Sequence, residues 1–207
     1  MPRQSIAIVN YGMGNVRSVQ KAIEYIAPND NVFISDDAKL IGDSDRIVFP
    51  GQGAMGACMQ ALKKHGLTDV IKSCAIDRPF LGICLGLQLL FEFSEENGGT
   101  KGLSIIPGNV VKFQDNNLKI PHMGWNNVEQ VTKHPLWHKI ENNSRFYSVH
   151  SYYVKECDHG VVSGVTNYGI KFTSAIEKDN IFAVQFHPEK SQQDGLQLLT
   201  NFVNWNN

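Results

Sequence analysis

What this chain lacks narrows its reading before any motif is considered. It has no surplus of either charge: 19 Lys and Arg stand against 20 Asp and Glu, a formal net charge of −1 over 207 residues. A nucleic-acid footprint needs a concentrated basic face, which this balance does not offer. No apolar run approaches the roughly 20 residues that span a bilayer. The opening Met1-Pro2-Arg3-Gln4-Ser5 passes straight into Ile6-Ala7-Ile8-Val9, without the apolar stretch and cleavage site of a secretory leader. Cysteine is sparse, at positions 58, 74, 84 and 157, with no C-x-x-C and no regular spacing. A cytoplasmic protein with reduced thiols is expected.

Cofactor motifs are missing too. No G-x-x-x-x-G-K-[ST] occurs, and Asn10-Tyr11-Gly12-Met13-Gly14-Asn15 begins like a dinucleotide fingerprint but has Arg17 in place of the third glycine. His134 and His138 have the i, i+4 spacing of a metal pair, yet no third ligand lies nearby and Pro135 suits a surface turn. No cofactor and no metal are expected.

What is present is 42% hydrophobic residues, enough for one globular domain over 1–207. The first half alternates strand and helix. Strands are expected at 5–10, 31–35, 47–49 and 80–83. Helices are expected at 16–26, around Met55–Leu62, at 68–75 and at 87–93. This βαβ repetition implies a parallel sheet with helices on both faces. The second half reads as short strands at 110–113, 118–121, 146–154, 161–165, 172–176 and 181–186, an antiparallel extension of the sheet. A last helix is expected from about Asp194 to Trp205.

The strongest local signal is Gly82-Ile83-Cys84-Leu85-Gly86, a cysteine between glycines after an apolar run and before a helical pattern. That is the sulfur counterpart of the G-x-S-x-G nucleophile elbow. A strand-to-helix turn brings the sulfur beside the N–H groups of a helix start, which favour thiolate. Much later, Phe182-Ala183-Val184 and Phe186 form an apolar strand ending in His187-Pro188-Glu189. Pro188 stops regular pairing, and in an extended segment His187 and Glu189 share a face. Cys84, His187 and Glu189 together have the logic of nucleophile, base and orienting carboxylate. A non-catalytic α/β binding module and a cysteine hydrolase of peptides are readings of a different class.

Pro50-Gly51-Gln52-Gly53-Ala54 follows a strand. It reads either as a tight turn or as an oxyanion loop, and beside an elbow cysteine the second is preferred. Pro121-His122-Met123-Gly124-Trp125-Asn126 places Met and Trp in a loop, as an interface patch or as a buried Trp125. Ser148–Tyr153 alternates as a strand that would present Ser151.

Together Asn10–Asn15, Pro50–Ala54, Gly82–Gln88, Pro121–Asn126, His150–Tyr152 and His187–Ser191 resemble the class I, triad-type glutamine amidotransferases across essentially the whole chain. The resemblance implies a flavodoxin-like three-layer α/β fold, with a mixed central sheet, helices on both faces and an antiparallel extension in the second half. It implies that Cys84 attacks the side-chain amide of L-glutamine, that His187 moves the proton and that Glu189 orients the imidazole. It further implies an oxyanion hole near Gly51, Gln52, Gly53 and Leu85, completed by a turn of the Gly51-Gln52 peptide, with Gln88, Ser151 and Tyr152 holding glutamine. The opening and the Pro121–Asn126 loop point to the branch whose ammonia serves a cyclase of histidine biosynthesis. The implied partner is a separate (β/α)₈ barrel in a heterodimer, contacted through Asn15, Met123, Trp125, Tyr147 and Lys190. The alternative acceptor is a sugar amidotransferase of surface polysaccharide synthesis.

Overall fold

The computed structural model describes residues 3–114, 118–155 and 157–206. Its first half runs β1 (Ser5–Val9), α1 (Val16–Ile26), β2 (Asn31–Ser35), α2 (Ala38–Gly42), β3 (Arg46–Gly51), α3 (Met55–Lys64), α4 (Thr68–Asp77), β4 (Phe80–Cys84) and the single turn α5 (Leu85–Gln88). There follow β5 (Phe91–Ser94), β6 (Thr100–Lys101), β7 (Ile106–Lys112), β8 (His122–Asn127), β9 (Glu129–Gln130), β10 (Arg145–His150), β11 (Tyr152–Lys155), β12 (Val162–Tyr168), β13 (Ile170–Lys178), β14 (Ile181–Val184) and α6 (Gln192–Asn204).

Twelve strands form one sheet, ordered β2-β1-β3-β4-β14-β13-β11-β7-β5-β6, with β12 and β9 attached through β13. From β2 to β14 every pairing is parallel, and β13 turns the sheet antiparallel. β3, β4 and β14 are buried along their whole length. Strands covered on both faces must be apolar throughout, and these sequences are, with few interruptions. α1 and α6 bury Val19, Ile23, Leu198, Leu199 and Phe202 against one face; α3 and α4 bury Cys58, Met59, Leu62 and Ile71 against the other. The three-layer α/β architecture expected from the sequence is present. No helix among the described residues is long and apolar enough to cross a membrane.

Four expectations need correction. The helix over 87–93 is only the turn Leu85–Gln88, and β5 begins at Phe91. The carbonyls of Leu89 and Leu90 accept from the N–H groups of Leu103, Ile105 and Ile106, so a distant segment captures the groups a longer helix would use. The Pro121–Asn126 segment is not a loop, and 118–121 is not a strand. His122–Asn127 is β8, paired antiparallel with β10 from His122↔His150 to Asn127↔Arg145 in a separate two-stranded sheet. The strand expected over 146–154 breaks at Ser151, where the chain leaves that small sheet and joins the large one. There the Ser151 carbonyl accepts from Phe113 N–H at 3.1 Å.

The close approach of β3 and the start of α5 sets the local geometry of the elbow. A Cβ added at Gly86 would lie 1.9 Å from the Phe49 carbonyl oxygen, so that crossing admits only glycine. Gly86→Ala is accordingly expected to lower stability by about 3 kcal/mol, at the upper end of overpacking costs, because backbone rather than a flexible side chain must move. A lower urea midpoint with an unchanged slope checks this; an unchanged midpoint would show that the crossing relaxes freely.

Candidate active site

Three parallel strands end side by side. Gly51 of β3 stands in register with Cys84 of β4, and Ile83 with Val184 of β14. Open parallel sheets place their sites at this edge, where the chain turns into helices and loops. Cys84 itself has φ 55° and ψ −112°, a backbone state that side chains other than glycine's rarely adopt. Such strain costs about 1–3 kcal/mol and persists where the surroundings dictate it. Here β4 fixes one side of the residue, and the tight α5–β3 crossing fixes the other.

Beyond β14 the chain continues extended through Gln185 and Phe186, held by Gln185 N–H to the Ser174 carbonyl (2.8 Å) and His187 N–H to the Tyr147 carbonyl (2.9 Å). Pro188–Lys190 then form a 3₁₀ turn rather than an extended segment. Proline suits the first position of such a turn, where no N–H is required. The turn brings Glu189 Oε1 to 2.8 Å from His187 Nδ1, with both side chains buried. Ser191 locks it from below: its hydroxyl donates to the His187 carbonyl at 2.6 Å and accepts from Tyr147 N–H at 2.9 Å.

Among the described residues, His187 Nε2 is buried without a hydrogen-bond partner. Burial would lower the pKa of this imidazole, but the Cys84 sulfur, followed by the Glu189 carboxylate, outweighs it and holds the group up to about 10. An imidazolium facing the sulfur is the state this favours. Burial pushes Cys58 up to about 11 and also raises Cys74, so both remain thiols.

A cavity of about 300 Å³ opens over the sulfur. Of the residues expected to bind glutamine or the oxyanion, Gln52, Gly53, Leu85, Gln88, Ser151 and Tyr152 all line it. Gly51 instead lies buried beneath, in the β3–β4 register. Gln88 is 4% exposed and its amide nitrogen donates to the Tyr152 carbonyl (3.1 Å) and to Gln185 Oε1 (2.8 Å). Glu96, which sequence reasoning passed over, also lines the cavity while its Oε2 accepts Met55 N–H at the start of α3 at 2.6 Å. It sits in a polar stretch without any motif, so nothing local singled it out.

The expected partner-facing residues fall into two groups. Trp125 and Tyr147 are cross-strand neighbours whose rings meet edge-on at 6.2 Å, and Met123 lies two residues away on the same face, 57% exposed. Lys190 lines the cavity with its ammonium 5.9 Å from the Tyr147 ring. These four gather at one rim. Asn15 precedes α1, just after a turn at Gly14 that packs on Gly51.

The opposite face of β8 and β10 carries His122 and His150, 3% and 7% exposed. His150 Nδ1 lies 2.8 Å from the Tyr152 carbonyl, His150 Nε2 lies 3.0 Å from His122 Nδ1, and Asn126 Nδ2 lies 3.2 Å from His122 Nε2. Burial lowers His122 to about 4 and His150 to about 3.

A cysteine at a strained strand-to-helix turn, a carboxylate-held imidazole and a pocket over the sulfur meet on one doubly covered sheet edge. The family model for class-I glutamine amidotransferases matches residues 7–205, and the chain belongs to that family. It is 52% identical over 208 residues to the imidazole glycerol phosphate synthase subunit HisH of Aromatoleum aromaticum, covering 97% of this chain and 98% of that protein. The subunit of the same name from Nitrosomonas europaea is 52% identical over 209 residues, with coverages of 97% and 98%. Among solved structures, PurLQS from Thermotoga maritima superposes with a TM-score of 0.75 at 17% identity over 98% of each chain, a likeness of fold.

Two outcomes follow from the charges. In Cys84→Ala the main force holding the His187 proton is gone, so its pKa falls by at least about one unit; Glu189→Gln lowers it less. Imidazole ¹⁵N resonances followed against pH measure both, and an unmoved His187 in Cys84→Ala contradicts the coupling. For His122 and His150 the folded pKa lies below the unfolded value, so between about pH 6.5 and their depressed values the unfolded chain binds more protons. Stability therefore falls as pH drops below 6.5, by about 1.4 kcal/mol per pH unit for each histidine. Urea unfolding at stepped pH should show a shallower acid slope in His150→Gln; an unchanged slope removes this histidine from the account.

Proposed function

We propose that this chain is the ammonia-producing glutaminase subunit of an imidazole glycerol phosphate synthase, acting in histidine biosynthesis. The observation that carries the reading is the buried His187–Glu189 pair beside the Cys84 sulfur, in a chain more than half identical to subunits of that name. The chemistry follows from the charges. The Cys84 thiolate attacks the side-chain carbonyl carbon of L-glutamine, and the C=O electrons move to oxygen. Backbone N–H groups at Leu85 and Gly53 receive that oxyanion in this reading, once the Gly51-Gln52 peptide turns. His187 gives its proton to the amide nitrogen, the C–N bond breaks and ammonia departs, leaving a γ-glutamyl thioester. Water then loses a proton to His187 and attacks the thioester; glutamate leaves and the thiolate–imidazolium pair is restored.

Glu96 on the cavity wall suits the α-ammonium group of the substrate, and the backbone around Ser151 and Tyr152 suits its amino-acid end. The ammonia is consumed by a cyclase, a separate (β/α)₈ barrel in a heterodimer, and the lyase step is the cyclase's. The exposed Met123 and Trp125, the half-buried Tyr147 and Lys190 beside them form the docking rim at the mouth of the cavity.

A glutamine-like diazoketone, 6-diazo-5-oxo-L-norleucine, should label Cys84 in the complex with cyclase and its nucleotide substrate. Peptide mapping that finds no adduct on Cys84 sinks the glutaminase reading. Cys84→Ala should keep the complex intact and abolish glutamine-dependent turnover, while turnover with added ammonium survives. Failure of ammonium to rescue it would overturn the division of labour between subunits.

A further inference from the structure

A polar residue interrupts the apolar strand that leads to the triad. Gln185 lies between Val184 and Phe186 and is 1% exposed. Its Nε2 is 3.8 Å from Cys84 Sγ, within hydrogen-bond reach of a sulfur, and its Oε1 accepts from Gln88 Nε2 at 2.8 Å. The nucleophile, base and orienting carboxylate account for the proton movements without it.

The direction of this contact is forced, one bond at a time, from two backbone carbonyls. Asn126 Nδ2 donates to the Asn167 carbonyl (2.9 Å), which fixes nitrogen on that side of the amide, and so it also donates to His122 Nε2. His122 must then carry its proton on Nδ1 and donate to His150 Nε2. His150 carries its own on Nδ1 and donates to the Tyr152 carbonyl, which can only accept. Gln88 Nε2 donates to the same carbonyl, so Gln88 is fixed in turn, and the atom of Gln185 facing it must be Oε1. The remaining end of the Gln185 amide is the N–H donor, and it meets the sulfur. A flipped Gln185 would set its nitrogen against the nitrogen of Gln88 and its oxygen against a thiolate.

We propose that Gln185 is a further catalytic residue. Its amide N–H donates to the Cys84 sulfur, stabilising the thiolate and aiming it at the substrate carbonyl, and His150 is a positioning residue acting through the Tyr152 carbonyl and Gln88. A hydrogen bond to the charged form favours that form, and a buried donor with no competing water is worth more than the same donor in solvent. When sulfur becomes the thioester the acceptor weakens, so the contact favours attack and the return of the thiolate on hydrolysis. The two neutral histidines fit this role, because a proton on either would set two donors against each other and break the run.

This rests on Cys84 being the nucleophile, and the test separates the two claims. In the complex with cyclase, Gln185→Leu should reduce kcat for glutamine hydrolysis about 10-fold to 100-fold with KM within about threefold. Alkylation of Cys84 by iodoacetamide at pH 7 should slow by about tenfold, because less thiolate is present. Equal kcat and alkylation rates in a folded Gln185→Leu overturn the proposal, while wild-type labelling at Cys84 by the diazoketone leaves the nucleophile reading standing. Absence of that wild-type label overturns both. Should Gln185→Leu fail to fold, the side-chain ¹⁵Nε2 resonance of Gln185 decides in an otherwise native chain. Cys84→Ala must move it more than the side-chain resonance of any glutamine outside the hydrogen-bonded run, and an unmoved resonance overturns the proposal. His150→Phe should lower kcat in the same direction by a smaller factor, again with KM little changed.

Discussion

The site depends on one crowded crossing. The chain can bend through φ 55° at Cys84 only because the next residues press directly on β3, with Gly86 against the Phe49 carbonyl. That contact sets the height of the sulfur above the sheet edge. It also fixes the distance from Cys84 to β14, since β14 pairs with β4 through Ile83↔Val184. His187 then needs no loop of its own to reach the side of Cys84. It arrives on the adjacent strand, two residues past a buried glutamine, and a proline-led turn holds its carboxylate partner. Precision here comes from sheet register rather than from long-range side-chain contacts.

How much of this was legible in the sequence follows the range of the interactions involved. The elbow and the His-Pro-Glu could be read because their chemistry is local: a glycine two residues after a cysteine, and a proline after a histidine, are printed side by side. The pairing of His187 with Glu189 was expected on mistaken local grounds, a shared face in an extended segment. The structure achieves it by a 3₁₀ turn, and both conformations bring i and i+2 within reach here. The Pro121–Asn126 segment was harder. Nothing in His-Met-Gly-Trp-Asn announces a strand, since its hydrogen bonds go to Arg145–His150, more than 15 residues away. The truncated helix after Gln88 failed for the same reason, its carbonyls claimed by residues 103–106. Where a partner lies far along the chain, propensity loses to tertiary pairing.

Gln185 was overlooked for a different reason. In an apolar strand a single polar residue reads as noise, whereas burial turns it into a constraint, because a buried amide must satisfy both of its ends. The same holds for His122 and His150, which stand in alternating strands where histidine is unremarkable by itself. Their meaning emerges only from the order of the bonds, in which each ring has one tautomer compatible with its neighbours.

That order has a physical consequence for how the two sides of β8 relate. Met123 and Trp125 project outward at the cavity rim, while His122, the first residue of the same strand, projects inward and joins the run that leads to the sulfur. A strand cannot shift one face without shifting the other, since the side-chain period is two. A displacement of β8 by a few tenths of an ångström would therefore lengthen the His122–His150 bond, loosen the Tyr152 carbonyl and change what the Gln185 amide offers the thiolate. Neutral, one-way hydrogen bonds suit such a connection better than an ion pair would, because their strength depends on direction as well as distance. The residues expected at the rim and the histidine that begins the hydrogen-bonded run toward Cys84 are thus on opposite faces of one short strand.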